Sequence, residues 1–344
     1  MKTNSIKLLV VALLSTFIFH PSSLLGQGAL TPPGAPAPTM KTLDQVYARL
    51  DPRTAITNIA NGYTISVPGS YYLTTNLTGT SGYYGITISS GNVTLDLNGF
   101  LLQGVPGSID GVYVNGSFTN ITVRNGSISG WGSSGIDAYS ASVPRNLVFE
   151  RLTFSTNHSA GIETEAGSEV RDCCSIGNTT GIFCYGGLVS GCVTRNNGTG
   201  ISAYNCTVRD CQVWSNGRGI YANSSTVSDC YVGYNQQSGI YVYTDGCQIT
   251  GNNCYHNNIS ANTSEAGIYI DNNYSRVEDN HVTGSGYAGI AVSNSGYINN
   301  IIIKNTVIGN GANNYIIPAG QIYGPLITTT GIITNSNPWA NFSF

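Results

Sequence analysis

The stretch Gly200-Ile-Ser-Ala-Tyr-Asn-Cys-Thr-Val-Arg-Asp-Cys-Gln-Val-Trp-Ser-Asn-Gly-Arg-Gly-Ile220 decides the fold. It opens on a Gly-Ile pair and reaches the next one 19 residues later. The pair (once Gly-Val) stands ten times between residues 85 and 290, at Gly85, Gly111, Gly135, Gly161, Gly181, Gly200, Gly219, Gly239, Gly267 and Gly289. A unit of roughly 20 residues is too short to bury its own core, so successive copies must stack on one another.

Two further columns keep the register. Cys173, Cys192, Cys211 and Cys230 are spaced by 19, and the column continues through Asn252, Asn280 and Asn305. Five positions later run Asn178, Asn197, Asn216 and Asn235, then Asn257, Ser285 and Asn310. The segments between them, such as Thr207–Val213 and Thr226–Val232, suit a pleated surface and are parted by Asn-Gly, Gly-Asn and Ser-Gly turns. No window carries sustained helical amphipathicity, and the leucine-rich consensus of a horseshoe repeat is missing. The chain is therefore read as all-β, a parallel β-helix solenoid of about ten coils, each adding roughly 4.8 Å of height.

Strand alternation sorts the Gly-Ile segments. The Ile points inward, and so does the residue two further on, a column reading Ala138, Thr164, Cys184, Ala203, Ala222, Val242, Ile270 and Val292. The asparagines are expected to form a ladder at a turn, each amide bonding the coils above and below. Nine cysteines in an exported chain would ordinarily suggest disulfides, but in-register cysteines have parallel Cβ directions, and the placement favours buried thiols acting as small hydrophobes. The absence of Cys-x-x-Cys argues against zinc, and no metal is assigned.

Charged residues are 9% of the chain and the net charge is −3, so no basic face is offered to nucleic acid. Lys2 and Lys7 before the apolar run Leu8–Phe19 predict a secretory signal peptide over 1–28, and prolines mark a linker over 29–39. The run is too short to favour a retained span, so no membrane span is expected after cleavage, and the chain is placed outside the cell, on its surface or in a periplasm. Open sheet edges need covers. Residues 40–84 are assigned to an N-terminal cap and first strands, with a short helix around Leu43–Leu50, residues 85–315 to the repeats, and 316–344 to a C-terminal cap.

Gly200–Tyr204, Thr207–Val213 and their counterparts resemble the right-handed parallel β-helix, pectin-lyase-like superfamily over roughly residues 85–310. Pro33–Gln45, Pro68–Leu73 with Val93–Phe100, and Asn337–Asn341 look like a group of secreted bacterial β-helix proteins of undefined function. The resemblance implies a right-handed solenoid, with polysaccharides as the commonest substrate class. The Asn-Thr-Asp, Gly-His-Gly and Arg-Ile-Lys motifs of polygalacturonase-like enzymes do not occur, nor does the Tyr-Gly-Phe-Asp-Pro-His of alginate-epimerase-like ones. His158, His256 and His281 fall in three different columns, which argues against copper.

The outward positions carry the chemistry. One column reads Asp137, Glu163, Phe183, Ser202, Tyr221, Tyr241 and Tyr269, the next Tyr139, Glu165, Tyr185, Tyr204, Asn223, Tyr243 and Asp271. Stacking makes these a flat aromatic face flanked by carboxylates, suited to the apolar faces and hydroxyls of sugar rings. The candidate ligand contacts are Tyr139, Phe183, Tyr185, Tyr204, Tyr221, Tyr241, Tyr243, Tyr269 and Asp271. Stacked tyrosines also stabilise a parallel sheet with no ligand present. Glu163 and Glu165, roughly 6.5–7 Å apart on one face, and Asp137 on the neighbouring coil are the candidate catalytic acids. Carboxylates at that separation could instead bind calcium; no other cofactor is expected. Three readings follow: a polysaccharide-binding module, a polysaccharide lyase or glycoside hydrolase, and a structural or adhesive rod.

Overall fold

A computed structural model describes residues 41–43, 45–46, 51–139 and 145–344; the expected signal peptide and linker lie outside the described residues. The Gly-Ile segments form one parallel sheet of twelve strands, from Tyr63–Ile65 to Asn313–Ile316. Two turns beyond the expected ten come from these terminal strands, which lack the Gly-Ile pair. Tyr63 nevertheless registers with Ile86, and Tyr315 with Ile290.

Two more walls complete each coil. One contains Val93–Asp96, Thr207–Arg209 and Thr226–Ser228; the other contains Leu101–Gln103, Gln212–Trp214 and Tyr231–Gly233. The strands Thr119–Ser129 and Arg145–Ser155, 11 residues each, run through the corner between these walls and join them. Ile322–Tyr323 pairs with Ile301–Ile302, and Asn341–Ser343 with Thr306–Val307, so the tail extends both walls. Of the expected N-terminal helix, Leu43, Gln45 and Val46 are helical. Thr42 and Gln45 exchange side-chain-to-backbone bonds at its start, a capping box. Asp44 and residues 47–50 lie outside the described residues.

The inward columns are as expected. Ile136, Ile162, Ile182, Ile201, Ile220, Ile240, Ile268 and Ile290 are fully buried in direct register, and Ala138, Cys184, Ala203, Ala222, Val242 and Ile270 fill the second column. The glycine of each pair has a steric reason. A Cβ on Gly219 would come within 2.2 Å of the Gly239 carbonyl oxygen on the next coil, and one on Gly181 within 2.4 Å of that of Gly200.

Corners are built from a left-handed residue followed by one whose side chain bonds along the axis. Ser215 (φ 56°) precedes Asn216, and Asp229 (φ 54°) precedes Cys230. Asn216 Oδ1 accepts from the Asn197 backbone N–H and side-chain Nδ2, both at 3.0 Å, while the Asn216 N–H donates to Asn235 Oδ1 at 2.9 Å. The amide ladder is therefore real, and it satisfies buried corner amides. The cysteine column is a second ladder: the Cys192 thiol donates to the carbonyls of Ser190 (3.3 Å) and Val170 (3.6 Å), and Asn252 takes over by accepting from the Cys230 N–H at 3.0 Å. A third ladder, at the remaining corner, links Gly187 N–H to Cys206 Sγ, Cys206 N–H to Ser225 Oγ, and Ser225 N–H to Cys247 Sγ (3.3, 3.0 and 3.4 Å). Its mixed Gly, Cys and Ser residues share no letter to read as a column.

Candidate functional site

The register of the twelve-stranded sheet sets Tyr113, Asp137, Glu163, Phe183, Ser202, Tyr221, Tyr241 and Tyr269 side by side on successive coils, pointing away from the core. Tyr185, Tyr204 and Asn223 form the parallel column beside them. The rings touch in sequence. Tyr139 meets Phe183 edge-on at 5.4 Å, Phe183 meets Tyr204 at 5.4 Å, and Tyr204 meets Tyr221 at 5.8 Å. Tyr221 stacks on Tyr241 at 5.6 Å and contacts Tyr243 at 5.4 Å. Contacts of 4.5–7 Å are favourable between such rings, so the ribbon is a packed surface rather than a set of loose side chains. Tyr139, Tyr185 and Tyr243 are the exposed members; Phe183, Tyr204, Tyr221 and Tyr241 are half-buried.

Two expected site residues are largely covered. Tyr269 is only 9% exposed: it packs with Ala266, Ala288 and Ala291 under Tyr241 and Tyr287, so it supports the ribbon instead of presenting a face. Glu165 is 7% exposed; its strand, Ala160–Thr164, ends one residue before it, so alternation does not carry through to its side chain.

The acid that joins Asp137 and Glu163 is instead Asp110. It is 4% exposed and accepts the Ser134 N–H at 2.7 Å, while Ser134 Oγ donates to Glu163 Oε1 at 2.6 Å. Ser159 Oγ donates to the same Glu163 oxygen at 3.1 Å. Burial raises the Asp110 pKa, with the Glu163 carboxylate adding to the rise. Asp137, bonded to the Tyr139 N–H at 2.9 Å, is pushed up to about 6, first by burial and then by the charges of Asp110 and Glu163. The stacked pair Tyr84 and Tyr113, 4.6 Å apart, lies on one side of these acids, and Tyr139 with Phe183 on the other.

Asp110 directly precedes Gly111, and the equivalent position holds Tyr84, Ser134 and Arg218. That column faces the same side as the ribbon, as the contacts of Tyr84 with Tyr113 and of Arg218 with Tyr241 show. Arg218 sits 4.3 Å over the Tyr241 ring and pairs with Glu265 at 2.9 Å. At the far end of the ribbon Asp271 accepts from the Tyr241 hydroxyl and from Ser293 Oγ, each at 2.6 Å. It borders a polar depression of about 460 Å³ shared with Tyr243, Asp245 and Tyr297. Among the described residues no three His, Cys, Asp or Glu side chains converge as metal ligands.

Solved structures with this architecture include the A-module of the Azotobacter vinelandii mannuronan C-5 epimerase AlgE6, 18% identical, TM-score 0.52, covering 75% of this chain and 91% of that one. The catalytic domain of a GH87 α-1,3-glucanase, solved with tetrasaccharides, is 12% identical with TM-score 0.59, covering 85% of this chain and 69% of that one. The Dettilon tailspike protein is 16% identical with TM-score 0.52, covering 85% and 61%. At these identities the likeness is one of fold. No curated protein matches the chain. The family model described as the right handed beta helix region matches residues 107–258 and 198–310, more than half of the sequence, and with twelve stacked parallel coils behind that match the chain belongs to the right-handed β-helix family.

Proposed function

We propose that this protein binds polysaccharide along the outward face of its Gly-Ile sheet, with the sugar chain running parallel to the solenoid axis. The observation that carries the reading is the unbroken ring-to-ring ribbon from Tyr139 through Phe183, Tyr204 and Tyr221 to Tyr241 and Tyr243, bordered by acids at both ends. A ligand with repeating apolar faces and hydroxyls matches such a surface coil by coil. The α-1,3-glucanase and the mannuronan epimerase, which share the fold, are polysaccharide-acting proteins by name, and this supports the ligand class. Export to the cell surface, the medium or a periplasm belongs to the same reading and rests on the leader between Lys2 and Phe19.

The test is a glycan array and polysaccharide pull-down with the full chain and with a Tyr185→Ala/Tyr243→Ala variant. Both rings are exposed, so their loss spares the core. The expected result is retention on at least one polysaccharide, weakened about tenfold or more in the variant. Failure to bind any neutral or acidic glycan overturns the proposal.

One observation favours a second reading, cleavage of the bound glycan. Asp137 near 6, beside Glu163 and Asp110, is placed to hold a proton at mildly acidic pH and pass it to a leaving oxygen, with a neighbouring carboxylate as base or nucleophile. Product release from a polysaccharide panel, abolished in both Asp137→Asn and Glu163→Gln, would establish it. Retention on a glycan with no product at any pH between about 4 and 7 would leave binding alone.

A further inference from the structure

Nine cysteines lie between Cys173 and Cys254, and the stacking of the solenoid sorts them onto several lines. Cys173, Cys192, Cys211 and Cys230 follow one another at one corner, each thiol donating to a backbone carbonyl two residues before it. Cys184 belongs elsewhere. It is the one cysteine of the second inward column of the Gly-Ile sheet, between Thr164 and Ala203. Cys206 stands at the corner that follows that sheet, one coil further on, in the ladder that also holds Ser225 and Cys247.

The offset of one coil between strand and corner brings the thiol at 206 against the residue at 184. The Cys206 and Cys184 sulfurs are 2.9 Å apart, closer than a van der Waals contact between sulfurs, and Cys206 Sγ lies 3.0 Å from the Cys184 carbonyl oxygen. The same offset carries Ser225 to the Ala203 carbonyl and Cys247 to that of Ala222, where the facing side chains have no sulfur. Only at Cys184 and Cys206 do the two columns bring two thiols together. A disulfide bond is about 2.05 Å long, so its formation needs the two sulfurs to move together by less than ~1 Å.

We propose that Cys184 and Cys206 form a disulfide that staples one coil to the next, at the level of Phe183 and Tyr204 in the aromatic ribbon, while the other seven cysteines remain thiols. The reaction breaks two S–H bonds and forms one S–S bond. Two protons and two electrons pass to a disulfide oxidant, which leaves as two thiols. Cys206 is the attacking sulfur. Its contact with Cys184 and the Gly187 N–H that donates to it at 3.3 Å lower its pKa and favour the thiolate. Both sulfurs are buried, so exchange takes place during folding or local opening and the finished bond is shielded from reductants.

The test uses the full chain, purified reduced and then refolded with or without oxidised glutathione as the disulfide donor. Thiols are alkylated under denaturing conditions and the digest is analysed by mass spectrometry. The expected result is one linked pair of peptides, holding Cys184 and Cys206, with seven alkylated cysteines and a Tm several degrees above that of the reduced chain. Cys192→Ala keeps the link, and Cys184→Ala abolishes both link and Tm shift. Nine alkylated cysteines after oxidative refolding, or a link between any other pair, overturns the proposal.

Discussion

Asp137 and Glu163 face each other on adjacent coils of one sheet, yet the two carboxylates are held differently. Two serine hydroxyls, of Ser134 and Ser159, donate to Glu163, whereas Asp137 has the single Tyr139 N–H. Burial and the neighbouring acids then leave Asp137 with a pKa of about 6 against its ordinary 3.8. The folded chain binds that proton more tightly than the unfolded chain, so protonation of Asp137 favours the fold. This contribution is complete below about pH 4 and is lost as pH rises through about 6. Asp137→Asn should therefore melt with the wild type near pH 4 and above it at pH 7. Parallel Tm profiles across that range would show that Asp137 is not perturbed.

Asn216 lies in the middle of the amide ladder and satisfies donors on two coils. Replacement by Ala removes the acceptor for the Asn197 N–H and Nδ2 and the donor to the Thr194 carbonyl, all inside the molecule. Leaving a buried polar group unpaired costs about 1–3 kcal/mol, so Asn216→Ala should lose roughly 2–4 kcal/mol. The exposed Gln212→Ala should change stability by less than about 0.5 kcal/mol. Denaturant unfolding of both variants measures the contrast; similar midpoints would remove the ladder from the account of stability.

The ladder and the inward columns were legible because one residue type recurs at one step, and each recurrence answers one constraint. Ile fills the lumen, Asn bonds both ways along the axis, and Gly clears a carbonyl. The third ladder was not legible, since Cys206, Ser225 and Cys247 meet the same backbone requirement with two different side chains and Gly187 at its start has none. The aromatic ribbon followed from alternation alone. What alternation cannot give is how far neighbouring bulk covers an outward residue such as Tyr269, against which Tyr241 and Tyr287 pack, or where a strand ends, as it does just before Glu165. Asp110 was overlooked because the residue before each Gly faces outward with the ribbon, whereas alternation counted back from the inward Ile turns it inward.

Gly219 tests the steric reading of the Gly-Ile pair. Its added Cβ would approach the Gly239 oxygen to 2.2 Å, Asn235 Nδ2 to 2.8 Å and a Val232 methyl to 2.9 Å. Two of these neighbours are backbone or ladder atoms that cannot turn away. Gly219→Ala should cost about 1–3 kcal/mol or more, despite the ordinary preference for Ala over Gly. At Gly82, where a Cβ would meet nothing within 4 Å but φ is 81°, the cost of Ala comes from the backbone alone. A Gly219→Ala variant as stable as the wild type would mean that coils can part at this point of the sheet without penalty.

Arg218 and Glu265 form an ion pair beside the ribbon, with side chains 24% and 8% exposed. Glu265 also accepts the Ser238 N–H at 3.1 Å and the Ser238 hydroxyl, so it is fixed before Arg218 arrives. Arg218→Met keeps much of the side-chain bulk against Tyr241 but leaves the Glu265 carboxylate buried without its counter-charge. Removing one partner of a buried pair costs about 3–5 kcal/mol; the loss expected here lies toward 2–3 because Arg218 is partly exposed. Glu265→Gln keeps an oxygen for the Ser238 N–H and removes the orphaned charge, so adding it to Arg218→Met should recover most of that loss. The double-mutant cycle separates the two roles of Arg218. Recovery assigns its contribution to the ion pair, whereas a deficit that persists in the double variant assigns it to the cation–π contact with Tyr241, 4.3 Å away. In the second case the guanidinium is part of the ribbon itself, and glycan affinity should fall together with stability.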